Sequence, residues 1–259
     1  MRRLIVEEPL SRAAVWSRRT AIFALATAAV SVGLARLANL DAGPVLTVFA
    51  AALTLAFLAL LLAGSAGVVI WRTGRRGAGQ AALGCFLSFA LLAYPAYLAA
   101  RALPLPMIAD VTTDFETPPA FMISAKAREA RAGQTPPAWN PADEALQRES
   151  YPKVQPIFVD LEPAQAYQLA LRVTKDLGWK LVDSNPPNLR VDGVAQIEAL
   201  ARSPVFGFAY DIAIRVRPLA SQTRLDLRSV SRVGRQDFGA NARHFDRFAA
   251  AVQAALQEP

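Results

Sequence analysis

Residues 206–217 read FGFAYDIAIRVR. Phe208, Tyr210, Ile212, Ile214 and Val216 fall on one side of an extended chain, and Ala209, Asp211, Ala213, Arg215 and Arg217 on the other, because strand side chains alternate with period two. One face is apolar and the other polar, so this segment belongs to a sheet with a single apolar core face. Neighbouring segments supply its partners: Trp179 to Asp183, a run from Leu189 to Ala201 after the turn SNPPN, and Thr223 to about Ser231. Before them, Pro163 suits a first helical turn, and Ala166, Leu169, Ala170, Val173 and Leu177 recur at helical spacing up to Gly178. After them, Phe238, Phe245, Phe248, Val252 and Leu256 share one stripe of a last helix. Helix, antiparallel strands, helix predicts an α+β fold in two layers over residues 158–259, an antiparallel sheet with helices on one face.

Upstream of this domain, Pro104, Pro106, Pro118, Pro119, Pro136, Pro137, Pro141, Pro152 and Pro156 crowd residues 104–157. Proline at that density forbids long helices and central strands. The segment therefore reads as an extended arm with a short helix near Ala127, tethering or wrapping the domain and anchored by Phe121, Tyr151 and Phe158.

Residues 1–103 differ in kind. Uncharged runs cover Ala21 to Ala35, Val45 to Ile70 and Gln80 to Ala100, and about 20 apolar residues span ~30 Å of hydrocarbon. Three transmembrane helices follow, at about 20–40, 45–70 and 80–100, the first running past Arg36, whose head can reach the interface. The formal charge of +7 sits here: this part carries ten Lys/Arg against three Asp/Glu, while the remainder carries eighteen of each. Short flanking segments rich in Lys and Arg face the cytoplasm. Arg2, Arg3, Arg12, Arg18, Arg19, Arg72, Arg75 and Arg76 lie on one side, against Arg36 and Arg101 on the other. The N-terminus is therefore expected inside, with the chain after about Leu103 in the periplasm of a bacterial inner membrane. That placement excludes nucleic acid as a partner. Cys85, the only cysteine, falls within the third span and leaves the exported domain without an intramolecular disulfide.

DVTTDFETPPAF (110–121), YPKVQPIF (151–158), LGWKLVD (177–183), IEALARS (197–203), FGFAYDIAIRV (206–216) and RSVSRVGRQDFGANA (228–242) together resemble the domain-of-unknown-function family numbered 1499. The resemblance covers the exported domain and implies no established activity. The chain departs from the family's pattern at Ala109, where relatives often have a histidine, and at Tyr210, where they often have a second acidic residue before Asp211.

Candidate chemistry gathers on the polar face. Pairing the two long strands through PLASQ allows two registers, Asp211 opposite Arg228 or Arg215 opposite Asp226, and Glu198 can join either. Such a network is cross-strand ion pairing or a pocket whose arginine forks hold an anion. The strand-to-helix loop brings Ser231, Arg232, Asp237 and Asn241, with Asp237 as helix cap and partner of Arg232, or with the loop as an anion site. Arg243, His244 and Arg247 read as solvated residues of the last helix. A serine triad through Ser229 or Ser231, His244 and Asp237, and an acid–base pair of Glu198 and Asp211, are the available catalytic arrangements. Beside two arginines both carboxylates should titrate low, which is wrong for a general acid. No catalytic residue, metal site or cofactor motif is assigned. The function classes left are a non-catalytic envelope module binding a protein, lipid headgroup or glycan, and an envelope hydrolase acting on an anionic substrate. The orientation is directly checkable: an alkaline phosphatase fused after Pro259 is expected to be active and a cytoplasm-only fluorescent fusion dark, and the opposite pattern overturns the placement.

Overall fold

The computed structural model of the chain describes residues 8–37, 42–188 and 193–257. The chain divides into two compact units, Met1–Leu103 and Pro104–Pro259, each described by itself.

The first unit holds α1 (Arg12–Leu37), α2 (Ala42–Thr73) and α3 (Ala78–Ala102), all three long and apolar enough to cross a membrane. α1 starts earlier than the apolar run, because arginine is a good helix former and hydropathy marks the lipid-facing stretch rather than the helix. Its expected end near Leu40 lies outside the described residues. Small residues line the contacts: Ala14, Ser17, Ala21, Ala24, Ala28 and Ser31 are buried on α1, and Ala52, Ala56, Ala59, Ala63 and Ala66 on α2. Phe23, Phe57, Leu61, Phe86 and Phe89 point outward. Lipid is as apolar as leucine, so helices gain most by close backbone approach, which small residues permit. Gly84 on α3 marks the tightest point: a Cβ there would run into Ser17 Oγ and sit 2.8 Å from the Ser17 carbonyl carbon. The two buried hydroxyls of α1 are satisfied across the α1–α2 interface, Ser17 donating to Ala59 O (3.0 Å) and Ser31 to Val45 O (2.8 Å).

The second unit is built on an antiparallel sheet of β1 (Asp110–Thr112), β2 (Ile157–Val159), β3 (Lys180–Asn185), β4 (Ala195–Arg202), β5 (Ala209–Pro218) and β6 (Thr223–Ser231). The order is β1-β6-β5-β4-β3, and β2 also pairs with β6. β1 takes the 228–230 end of β6 and β2 the 223–225 end. Its helices are α4 (Ala125–Ala130), α5 (Glu144–Ser150), α6 (Pro163–Asp176) and α7 (Ala240–Gln257). α6 and α7 cover one face: Leu169 and Val173, with Phe245, Phe248 and Val252, close on Ile197, Ile212, Ile214, Val216, Leu225 and Leu227. Trp179 stacks on Phe248 at 6.1 Å. α6 ends at Asp176, and Gly178 just beyond its cap Leu177 has a φ of 72° that lets the chain turn directly into β3.

Several boundaries differ from the sequence expectation. β4 begins at Ala195; residues 189–192 of the expected run lie outside the described residues. β5 begins at Ala209, not Phe206, because residues 203–208 form a turn closed by Ser203 N–H to Phe208 O (2.8 Å). α7 begins at Ala240, not Phe238, since Phe238 and Gly239 both have positive φ. Phe238, Leu256 and the expected anchor Phe158 are exposed.

The proline-rich segment wraps the sheet. It contributes β1, α4, a 3-10 turn at Pro141–Asp143 and α5, and it crosses the face opposite α6 and α7. Gln147 of α5 finishes the outer edge of β1. Its Oε1 accepts from Thr112 N–H (3.0 Å) and its Nε2 donates to Thr112 O (2.7 Å), as a further strand would.

Candidate functional site

The register at the polar face is Arg215 opposite Asp226, with Asp211 opposite Val230 and Ala213 opposite Arg228. Alternation then places Glu198, Asp211, Arg215, Asp226 and Arg228 on one side of the sheet, beneath the arm. This face is neither open nor a single network. Glu198, Asp211 and Arg228 each have their own partner, Asp114 and Asp226 share Arg215, Arg217 and Arg224, and each of these groups touches the arm.

Glu198 meets Arg131, which follows α4, and also accepts from Met122 N–H (2.8 Å). Asp211 accepts both Arg232 Nε (2.9 Å) and Nη2 (2.6 Å), while Arg232 Nη1 donates to Ala130 O (3.1 Å). Arg228 forks onto Asp110 of β1 (3.1 and 2.6 Å), donates to Pro137 O (2.9 Å) and lies over the Phe121 ring (5.2 Å). Arg215 reaches Asp226 and Asp114, both at 2.8 Å, and Thr117 O. Arg224 and Arg217 also point at Asp114, at 3.0 and 3.5 Å. Asp226 is fully buried and accepts Thr113 Oγ1 (3.0 Å).

These partners correct the expectation. Arg228 serves Asp110, not Asp211, and Arg232 serves Asp211, not Asp237. Asp110, Asp114, Thr113, Arg131 and Arg224 were missed. The one available signal was that DVTTD pairs two acids with two hydroxyls just before the wrapping segment. Electrostatics differ as well. Burial pushes Glu198 above the ordinary carboxylate range despite the Met122 N–H and the Arg131 charge, where neighbouring arginines alone had suggested a fall. Asp110 is likewise raised by burial, against Arg228. Burial also works to raise Asp114, but hydrogen bonds from Thr117 and the charges of Arg224 and Arg215 hold it below its ordinary value.

The loop after β6 is a second knot, on the helix-covered face. Asp237 Oδ1 accepts from Gly239 N–H (2.8 Å) and Oδ2 from Asn241 N–H (2.6 Å), so the chain's own carboxylate fills the start of α7. Asn241 Nδ2 donates to Ala109 O (2.9 Å) and Ser231 Oγ (3.1 Å), and its Oδ1 accepts from Ser229 Oγ (2.8 Å). Asn241 thus ties α7 to β6 and to the residue before β1.

His244 is not a surface residue. It is 8% exposed, with its ring edge-on to Tyr210 (4.9 Å) and Trp179 (5.7 Å). Its Nδ1 lies 3.1 Å from Ser229 Oγ. The single hydroxyl proton goes to Asn241, so Nδ1–H of histidine donates and the serine accepts. That polarity is the reverse of a nucleophile–base pair, and Asp237 is spent on amides, so the arrangement is not a serine triad. Burial, followed by the charges of Arg247 and Arg243, pushes the imidazole down to about 4. Arg243 and Arg247 are themselves exposed.

Among the described residues no cluster of His, Cys, Asp or Glu could hold a metal ion. A cavity of about 170 Å³ in this unit is lined by Phe115, Arg148, Tyr151, Pro152, Val154 and Gln155, which includes none of the expected site residues. Three apolar helices followed by an α+β domain whose charged sheet face is sealed by its own N-terminal arm define the class. Residues 110–252, more than half of the chain, match the family described as a protein of unknown function, DUF1499, and the chain belongs to that family. No curated protein and no solved structure matches it.

Two stability outcomes follow. Arg228→Ala strands Asp110 and Arg232→Ala strands Asp211, and each is expected to lower the stability of residues 104–259 by about 2–4 kcal/mol, while Arg243→Ala changes it by at most about 0.5 kcal/mol. Thermal melts of the three variants check this. His244 is depressed from 6.5 to about 4 on folding, so the unfolded chain binds its proton first. The contribution of the neutral ring is complete above pH 6.5 and is lost as pH falls towards 4, by up to about 3 kcal/mol. The difference in stability between wild type and His244→Gln, measured by urea unfolding across that range, is expected to shrink as pH falls.

Proposed function

We propose that the protein is an integral inner-membrane protein of the bacterial cell envelope, with its N-terminus in the cytoplasm and its C-terminal unit in the periplasm. In this reading the unit is a non-catalytic binding or interaction module whose partner is an envelope protein, a lipid headgroup or a glycan. The arginine distribution along residues 1–103 supports the location. One observation carries the functional reading: the two carboxylates that could act as acid and base, Glu198 and Asp211, are buried and each is consumed by an arginine, Arg131 and Arg232. A general acid or base must reach substrate directly or through one water, and these two reach the arm and the strand-to-helix loop.

Glu198→Gln and Asp211→Asn separate this module from an envelope hydrolase. Each leaves an arginine without its charged partner, so the expected outcome is that function in cells falls only as far as folded protein at the membrane falls. Loss of function with the melt and the protein level unchanged overturns the reading in favour of the hydrolase. Affinity purification from solubilised membranes, with mass spectrometry of co-purifying proteins and lipids, identifies the partner.

A further inference from the structure

α1 and α2 leave a cavity of about 680 Å³ between their outward faces, lined by Arg12, Trp16, Arg19 and Phe23 of α1 and by Leu58 and Leu62 of α2 among others. Its volume is that of a small-molecule site, and its composition is polarised along α1. Arg12, Trp16, Arg19 and Phe23 fall on one helical face, since they are three to four residues apart. At 1.5 Å per residue the cationic part extends over about 10 Å, and the uncharged Thr20, Phe23 and leucines follow. Both arginines are exposed, and among the described residues neither makes an ion pair; Arg19 has only the Trp16 ring beneath it, at 5.8 Å. Both belong to a helix long and apolar enough to span a membrane. They stand just before the uncharged run that begins at Ala21, at the end of the span, where a guanidinium takes a counter-charge from the opposing helix or from a lipid headgroup. α2 offers none here, for its residues facing the cavity are leucines. Two forked cations at one end of an apolar groove match a phosphate diester with acyl chains attached.

We propose that this groove is a binding site for an anionic glycerophospholipid. Arg12 and Arg19 hold the anionic phosphate and the hydroxyls of its headgroup, Trp16 packs at the glycerol level, and an acyl chain lies along Phe23, Leu58 and Leu62. A zwitterionic lipid fits the same groove but brings a choline cation towards two arginines, so the site discriminates by charge.

The test uses the full-length protein in nanodiscs of phosphatidylglycerol and phosphatidylcholine in equal parts, released into native mass spectrometry to count the lipids that stay bound. Wild type is expected to retain phosphatidylglycerol about tenfold or more over phosphatidylcholine. Arg12→Gln with Arg19→Gln is expected to abolish that preference, and Arg72→Gln with Arg75→Gln, on α2 and the following loop, to leave it intact. Leu58→Trp keeps both cations and fills the groove, so it is expected to lose the retained lipid as well, which keeps the proposal testable if the arginine variant fails to assemble. Equal retention of both lipids by wild type overturns the proposal. So does undiminished preference in the Arg12/Arg19 variant, an equal loss in the Arg72/Arg75 variant, full retention by Leu58→Trp, or displacement of the lipid by free glycerol phosphate.

Discussion

Burying a carboxylate in a protein interior costs several kcal/mol unless a cation and further hydrogen bonds come with it. The C-terminal unit places four acids, Asp110, Glu198, Asp211 and Asp226, on a sheet face from which water is excluded. Their arginines are therefore obligatory, and the arrangement of the unit follows from where those arginines come from. Arg215 and Arg228 rise from the sheet itself and Arg232 from the loop after it, but Arg131 belongs to the arm, and Asp110 and Asp114 are arm residues that receive the sheet's arginines. The carbonyls of Thr117, Met122, Ala130 and Pro137 each take one further donor from Arg215, Arg131, Arg232 and Arg228. A proline-rich segment with little helix of its own is held by charge pairs and carbonyls rather than by an apolar stripe.

β6 is where both faces of the unit converge. On the arm side, Asp226 and Arg228 alternate with the core residues Leu225 and Leu227. At its end Ser229 and Ser231 turn towards α7, where Asn241 and His244 meet Ser229. The order Arg228, Ser229, Ser231, Arg232, Gly234, Asp237, Gly239, Asn241 is thus a sequence of structural duties: an ion pair to β1, hydroxyls to the helix, an ion pair to β5, a turn, a cap, a second turn and a tie to residue 109. Arginines that in isolation resemble an anion site are, at Arg228 and Arg232, the cations of buried carboxylates.

The two units solve opposite solvent problems. In the helical unit alanine, serine and glycine face inward while phenylalanine and leucine face outward; in the C-terminal unit the large apolar residues are inside. Ser17 and Ser31 find carbonyls on α2, as Arg131 finds Met122 O, because an unmade hydrogen bond away from water costs more than a made one gains.

The three long helices and the elements after Pro163 were legible in the sequence, whereas β1, α5 and β2 of the proline-rich segment were not. Three long uncharged runs, the period-two alternation of residues 208–217 and the helical spacing after Pro163 are local patterns, and local patterns decide helix or strand because the period is set by backbone geometry within a few residues. The α+β class and the family resemblance rested on that level. Which charge meets which was decided only by tertiary structure. Arg131 lies 67 residues from Glu198 and Asp110 lies 118 from Arg228, and the strand register that aligned Arg215 with Asp226 left Asp211 free to receive Arg232. The burial of His244 belongs to the same level. Its neighbours Arg243, Asp246 and Arg247 mark an exposed helix face, yet its own position on the turn points at Trp179, Tyr210 and Ser229, which come from three other elements. Sequence periodicity names the faces of an element, whereas the occupant of the opposing surface depends on how distant segments of the chain pack.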